Sequence, residues 1–238
     1  MKVYDSLFTA YQNQQPLLAV LIDPEKTQPE QAVALCAQLK ETPVTHLLVG
    51  GSTFQGPHLA ALVLQLKKAS GLPVLLFPGD YAQITEAADG ILFLSLLSGR
   101  NPEYLIEQQV KAAPLLHHSN LEILPTGYLL IESGAETAVQ RVSGTLPLAR
   151  NNFQHAAMTA LAGQLLGKKL IYLEAGSGAQ HAVPLEMITT VAQTLAIPLI
   201  VGGGIRSMAQ IQAAHQAGAT LVVIGTAFEE NPHFFSAL

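Results

Sequence analysis

The chain has 238 residues, 49% of them hydrophobic and only 12% charged, with a formal net charge of −5. That length allows one large core or two small ones, and an acidic balance without a Lys/Arg cluster argues against nucleic acid as a partner. Apolar runs such as "PVLLF" and "ATLVVIG" are short and bounded by Gly or Pro, well below the roughly 18 to 20 apolar residues of a membrane span.

The opening "MKVYDSLFTAYQNQQP" is mixed and polar rather than a basic-then-apolar signal segment, so a soluble, cytoplasmic protein is expected. The positive mean hydropathy points to extensive burial or to an apolar groove. Along the chain, "PLLAVLID" reads as a buried strand and "PEQAVALCAQLKE" as a helix. "THLLVGG" and "PHLAALVLQLKKAS" repeat that order, and "LPVLLFPG" precedes a short helix around "YAQITEAA". "GILFLSLL" is followed by helical "PEYLIEQQVKAAPLL", then by strand-like "LEILPTGYLLI". Residues 133–150, rich in Gly, Ser and Pro, read as an excursion rather than an element. Helical "FQHAAMTALAGQLLG", strand "KLIYLEA", helical "PLEMITTVAQTL", strand "IPLIVGG", helical "SMAQIQAAHQAG" and strand "TLVVIGTA" complete the series. A short "FEENPHFFSAL" closes it.

Strands that are apolar throughout, rather than alternating, are buried on both faces, as in a parallel sheet. Eight strand–helix units in this length predict an α/β fold, a (β/α)8 TIM barrel, with a doubly wound open sheet as the alternative. No break in composition marks a boundary, so a single domain is expected. Such barrels work at the C-terminal ends of their strands, and there the sequence places "DPEK", "GGST", "FPGD", "SGRN", "PTGY", "EAGSGA", "GGGIRS" and "GTAFEE".

Two consecutive glycine turns, "VGGGIRS" and "VVIGTAFE", stand where these barrels hold phosphate. Glycine lets backbone N–H groups converge on an anion without side-chain interference. Gly203, Gly204, Gly225 and Thr226 are the expected donors, against the alternative that these glycines only end strands. Arg206 either adds charge or pairs structurally. Asp23, at the end of the first strand, and Ser52, at the end of the second, are candidate Mg2+ ligands, since Mg2+ takes one or two protein oxygens and keeps the rest for water and phosphate. The alternative for Asp23 is a helix N-cap or a turn residue, and for Ser52 a helix N-cap.

Glu174 ends the sixth strand in "YLEAGSGA". It is placed to act as general base on a hydroxyl of a phosphorylated substrate, with Gly176, Ser177 and Gly178 donating N–H groups. The alternative is an ion pair beneath the rim. Tyr172 lies on the same side of that strand, as a ligand contact or as barrel filling. Cys36, the single cysteine, lies in amphipathic "AVALCAQL" and is expected to fill core. The eight histidines form no metal pattern and are expected to be structural or on the surface. "GQLLGKK" lacks the spacing and hydroxyl of a P-loop.

On these residues the sequence resembles the geranylgeranylglyceryl phosphate synthase family, which includes the bacterial heptaprenylglyceryl phosphate synthases. The resemblance runs nearly end to end, through "LIDPEK", "VGGST", "LFPGD", "ILFLSLLSGRNPEYLI", "PTGYLLIESG", "KLIYLEAGSGA", "VGGGIRS" and "VVIGTAFEE". It implies a barrel that joins sn-glycerol 1-phosphate to a polyprenyl diphosphate through an ether bond. It further implies Mg2+ at Asp23 and Ser52. Glycerol phosphate would lie on Tyr172, Leu173, Glu174, Ala175, Gly176, Ser177 and Gly178 together with Gly203, Gly204, Gly225 and Thr226. Leu21 occupies the position where much of the family carries a phosphate-contacting lysine. The "DPEK" pattern matches the branch in which geranylgeranyl is the usual donor, with a longer prenyl diphosphate as the alternative. In the implied reaction the C3 hydroxyl attacks the allylic carbon and Glu174 takes the proton, while Arg100 and Asn101 assist at the diphosphate and side chains of the third and fourth units line a groove for the tail.

A homo-oligomer and peripheral contact with a membrane, for a lipid product, are also expected. Two rivals remain at this level: an isomerase or aldolase acting on a sugar phosphate, which would need a rim lysine or paired acids, and a non-catalytic prenyl-phosphate carrier, which would have no use for Glu174 or Asp23.

Overall fold

The computed structural model describes residues 2–54, 56–231 and 234–235. The eight apolar runs form parallel strands: β1 (Leu17–Ile22), β2 (His46–Val49), β3 (Val74–Leu76), β4 (Gly90–Leu96), β5 (Glu122–Leu130), β6 (Leu170–Glu174), β7 (Leu199–Gly202) and β8 (Leu221–Ile224). They close into a barrel in chain order, with Leu17 to Val20 of β1 paired to Leu221 to Ile224 of β8. The architecture is the (β/α)8 barrel that the alternation implies, not an open sheet.

Two apolar layers follow from the two faces of each strand. Leu18, Val20 and Ile22 of β1 point outward and join a core with the surrounding helices, whereas Leu17 and Ala19 point inward among Leu48, Leu92, Leu124, Leu170 and Leu221. The helices are α1 (Val3–Gln12), α2 (Ala32–Gln38), α3 (Leu59–Ser70), α4 (Gln108–His117), α5 (Ala138–Ser143), α6 (Phe153–Leu165), α7 (Leu185–Thr194), α8 (Met208–Gln216) and α9 (Thr226–Glu230). A single 3-10 turn precedes α2 and a π-helical turn, Glu103–Glu107, precedes α4. Among the described residues no helix is long and apolar enough to cross a membrane.

Three features depart from the sequence reading. The short helix expected around "YAQITEAA" is absent, and the segment from β3 to β4 runs as turns. Its own side chains explain this: Asp80 Oδ1 accepts from Ala82 N at 2.8 Å, Thr85 Oγ1 accepts from Ala87 N at 3.3 Å, and Gln83 bridges Gly79 N and Phe54 O. Short polar side chains that satisfy nearby backbone N–H groups compete with helix formation. Second, the excursion at 133–150 contains α5, capped by Thr137 Oγ1 accepting from Gln140 N.

The third departure is α1, in the segment read only as mixed and polar. Val3, Leu7 and Ala10 share one face and are buried against the inward layer, closing the N-terminal mouth of the barrel. Glu122 at the start of β5 accepts from Val3 N at 2.6 Å and Tyr4 N at 3.1 Å, satisfying two N–H groups that a helix start leaves free. With this end plugged, the opposite mouth is left for a ligand. Leu7 has no exposed surface, so Leu7→Ala is expected to cost about 2–5 kcal/mol, as buried Leu→Ala changes do, read as a lowered denaturant midpoint with an unchanged slope.

Candidate active site

The C-terminal mouth opens into a cavity of about 310 Å3 lined by residues from the ends of all the strands. Asp23, Ser52, Tyr172, Glu174, Gly176, Ser177, Gly178, Gly203, Gly204, Gly225 and Thr226 all contribute to its wall. Two residues of the expected binding segment do not. Leu173 and Ala175 have fully buried side chains in the outer layer, and Ala175 N is taken by Gly202 O at 3.0 Å. The strand period of two explains it: Tyr172 and Glu174 face in, so Leu173 and Ala175 face out.

Glu174 is 6% exposed and makes no salt bridge among the described residues, which sets aside the ion-pair alternative. Burial pushes its carboxyl up to about 7 against the opposing hydrogen bond from Gly176 N to Oε1, 2.6 Å long, and the nearby Tyr172 hydroxyl. That hydroxyl is buried and, among the described residues, has no hydrogen-bond partner of good geometry. Room for the carboxylate comes from the next strand. A Cβ on Gly202 would lie 2.9 Å from Glu174 Oε2 and closer still to the Tyr172 hydroxyl, and a Cβ on Gly203 would run into Glu174 Oε1 and Gly176 N. Beneath the acid, Phe77 and Tyr172 stack with centroids 5.2 Å apart and Tyr128 packs 5.5 Å from Tyr172, an aromatic floor.

Above Glu174 the glycine loops converge. Gly203 and Gly204 adopt φ of 80° and 70°, a left-handed backbone open to glycine at little cost. Among the described residues, no backbone hydrogen bond is donated by Gly203, Gly204 or Thr226. Ser177 Oγ and Thr226 Oγ1 lie 3.4 Å apart, joining the loops after β6 and β8. Converging N–H groups and hydroxyls of this kind suit a phosphate. Leu21 lies beside Gly225, 3.6 Å from where a Cβ would stand, so the β1 side of this pocket is apolar. Arg206 lines the cavity and donates Nη2 to Ala179 O at 3.2 Å.

Across the mouth, Asp23 Oδ1 accepts from Glu25 N at 2.9 Å, and Oδ2 lies 3.8 Å from Lys26 Nζ. Gly51 leaves the carboxylate uncovered, since even a Cβ there would come 3.3 Å from Oδ1. Ser52 lies next to Gly51 on the same wall. No group of three His, Cys, Asp or Glu gathers among the described residues, so a fully protein-ligated metal is not built here. A carboxylate and a hydroxyl-bearing residue on one wall do fit Mg2+, which takes one or two protein oxygens and completes its shell with water and phosphate oxygens.

The cavity also leaves the barrel sideways. β3 pairs with only Gly90 and Ile91 of β4, and β4 runs on to Leu96. The side chain of Gln109 donates Nε2 to Leu94 O on that unpaired edge. With no helix covering the β3–β4 segment, the cavity extends along Ile84, Ile91, Phe93, Leu94 and Ala112 to Val139 and Val142 of α5. The expected groove along the third and fourth units is therefore present as an apolar slot. Its course was not legible beforehand, because it depends on the absence of one helix.

Arg100 and Asn101 are not part of the cavity wall. Arg100 donates Nη1 to Leu97 O and Gly99 O, and Asn101 ties Ser143 O to Glu103 N. These hydrogen bonds hold the turn after β4. The described histidines are structural or on the surface: His46 is buried with its pKa pushed down to about 4 by desolvation, His58 Nε2 lies 2.7 Å from Pro24 O, and His117, His118, His155 and His181 are exposed. His233 lies outside the described residues. Cys36 is buried in the outer core.

Residues 12–237 match the model of the PcrB family. The chain is similar to a geranylgeranylglyceryl phosphate synthase of Flavobacterium johnsoniae, 55% identical over 99% of this chain and 97% of that one. It is 46% identical to one of Thermococcus kodakarensis over 89% of this chain and 83% of that one. In structure it resembles the (S)-3-O-geranylgeranylglyceryl phosphate synthase of Thermoplasma acidophilum in complex with sn-glycerol-1-phosphate. The TM-score is 0.92 at 33% identity, covering 100% of this chain and 95% of that one.

Burial of Glu174 carries a pH signature. The unfolded chain releases this proton near pH 4.5 and the folded protein near pH 7, so across that window the native state binds more protons and its stability falls as pH rises. Glu174→Gln has no charge to bury. It is expected to be more stable than the parent at pH 8 by on the order of 1–3 kcal/mol, with the gain fading to nothing by pH 4, measured by denaturant unfolding at both values.

Proposed function

The chain belongs to the PcrB family, and from that premise we propose that it is a Mg2+-dependent prenyltransferase that joins the C3 hydroxyl of sn-glycerol 1-phosphate to geranylgeranyl diphosphate. The products are geranylgeranylglyceryl phosphate and diphosphate. The observation that carries this reading is the buried, unpaired carboxylate of Glu174, set between glycine loops that suit a phosphate and at the head of an apolar slot that suits a long tail. A carrier has no use for such a carboxylate, and among the described residues the cavity wall offers no lysine poised inside the barrel for Schiff-base chemistry, since Lys26 is salt-bridged at the rim.

The residues divide the work by position. Backbone N–H groups of Gly203, Gly204 and Thr226, with the hydroxyls of Ser177 and Thr226, hold the phosphate of glycerol phosphate. With that end fixed, the C3 hydroxyl reaches Glu174. Asp23 and Ser52 would hold Mg2+, which when bound would neutralise the negative charge of the diphosphate leaving group. The C3 oxygen forms a bond to the allylic C1 as the C1–O bond to diphosphate breaks, and that electron pair leaves with the diphosphate. Glu174 accepts the hydroxyl proton, which its pKa near 7 permits at neutral pH. The aromatic rings of Phe77, Tyr128 and Tyr172 floor the site and keep water from the developing positive charge on C1. The tail follows the slot between β3 and β4.

Handedness enters because the phosphate and the reacting hydroxyl are both fixed, so the C2 hydroxyl of the wrong enantiomer points elsewhere. Mass spectrometry after incubation with Mg2+ and a set of prenyl diphosphates is expected to show geranylgeranylglyceryl phosphate from sn-glycerol 1-phosphate, and little product from the 3-phosphate. Asp23→Asn should lower turnover at least about tenfold, equivalent to roughly 1.4 kcal/mol of barrier. Full activity in EDTA would remove the metal from the mechanism.

A further inference from the structure

Among the described residues, the cationic side chains on the cavity wall are Lys26 and Arg206, and they share it with Asp23, Asp80, Glu174, Glu229 and Glu230. The reaction proposed above, on which this inference rests, asks that acidic wall to hold a phosphate and a diphosphate side by side. Arg206 stands on the β7 side, engaged with Ala179 O behind the glycine loops. The β1 side, where Asp23 stands and where Leu21 is apolar, has Lys26.

Lys26 bridges the mouth. Its Nζ lies 2.7 Å from Glu229 Oε2 on α9 and 3.8 Å from Asp23 Oδ2, while its backbone is fixed by Lys26 N donating to Asp23 O at 3.1 Å. The Lys26 side chain is 58% exposed and that of Glu229 27%. An exposed pair of this kind contributes little net free energy, so an anion of higher charge can take the ammonium from it. An ammonium on a flexible stem also offers three donors to phosphate oxygens without demanding one fixed geometry.

We propose that Lys26 is a diphosphate-binding residue held ready by Glu229. In the free protein the ammonium rests on Glu229. When an organic diphosphate occupies the β1 side of the mouth, Nζ swings to its oxygens and Glu229 is released. Lys26 thereby supplies positive charge to the leaving group from the side chain itself, and Glu229 sets how readily it is surrendered. The two residues act in opposition: removing the lysine weakens diphosphate binding, and neutralising the glutamate strengthens it.

The test is calorimetric titration of inorganic diphosphate, and separately of sn-glycerol 1-phosphate, into the protein and its Lys26→Met and Glu229→Gln variants. Lys26→Met is expected to weaken diphosphate about tenfold, which is about 1.4 kcal/mol, with glycerol phosphate affinity changed by less than about twofold. Glu229→Gln is expected to tighten diphosphate by about two- to fivefold, the range set by the weakness of exposed ion pairs. Shifts in the same direction, or no shift in either variant, would mean that the pair only braces the loop and would overturn the proposal. A loss confined to glycerol phosphate would also overturn it, by assigning Lys26 to the other substrate. Failure of the unsubstituted protein to bind either ligand would instead overturn the reading of the reaction on which the proposal rests.

Discussion

The burial of one carboxylate without a cation beside it is the constraint around which the mouth of this barrel is arranged. Glu174 would be far more comfortable in water, and desolvation lifts its pKa to about 7. The surrounding backbone gives way to admit it. Gly202 and Gly203 lack the side chains that would collide with its oxygens, and Gly176 turns its N–H toward Oε1. The same bare backbone that admits the acid also presents N–H groups to an anion. One set of glycines therefore serves two needs, and in the proposed reaction the phosphate and the base come out as neighbours. An acid placed this way costs stability above its pKa. The closed barrel, plugged at its far end by α1, supplies a scaffold that tolerates the cost.

A second consequence follows from what the barrel leaves out. A complete ring of helices would seal the outer face of β3 and β4, and a long apolar chain would have no path away from the polar mouth. Here the polar turns of residues 80–88 replace a helix, β4 outruns β3, and Gln109 caps a carbonyl on the unpaired edge. The apolar slot is the result. Its two ends differ in chemistry: glycine loops, Asp23 and Ser52 at one end, and Ile84, Ile91, Phe93 and Ala112 at the other. A substrate with a charged head and a hydrocarbon tail matches that gradient.

The strands and their rim residues were legible because a parallel barrel writes them plainly: apolar throughout, then a glycine or an acid. Tyr172 and Glu174 were placed correctly by the strand period, although the same period, applied to the whole segment, would have excluded Leu173 and Ala175 from the wall. Helix α1 was also legible, since Val3, Leu7 and Ala10 stand at helical spacing, although nothing local shows that this face plugs a barrel. The helix expected at residues 81–88 failed for a local reason, the competition of Asp80 and Thr85 side chains for backbone N–H groups. Arg100 and Asn101 stand at a strand end, where residues that hold the turn and residues that meet a ligand look alike in sequence. The salt bridge from Lys26 to Glu229 spans 203 positions, and no local pattern announces a contact of that kind.

The central claim is that Glu174 receives the proton of the attacking hydroxyl. The direct measurement is the single-turnover rate of prenyl transfer as a function of pH, with both substrates saturating, in the protein and in Glu174→Gln. The account predicts a rate in the parent that climbs through pH 7 and then levels as the carboxyl becomes fully ionised. It predicts a Gln variant slower by about 10²- to 10⁴-fold whose rate no longer follows that titration, while glycerol phosphate still binds. A Gln variant that turns over bound substrate at the parent's rate, with the parent's pH profile, would contradict it.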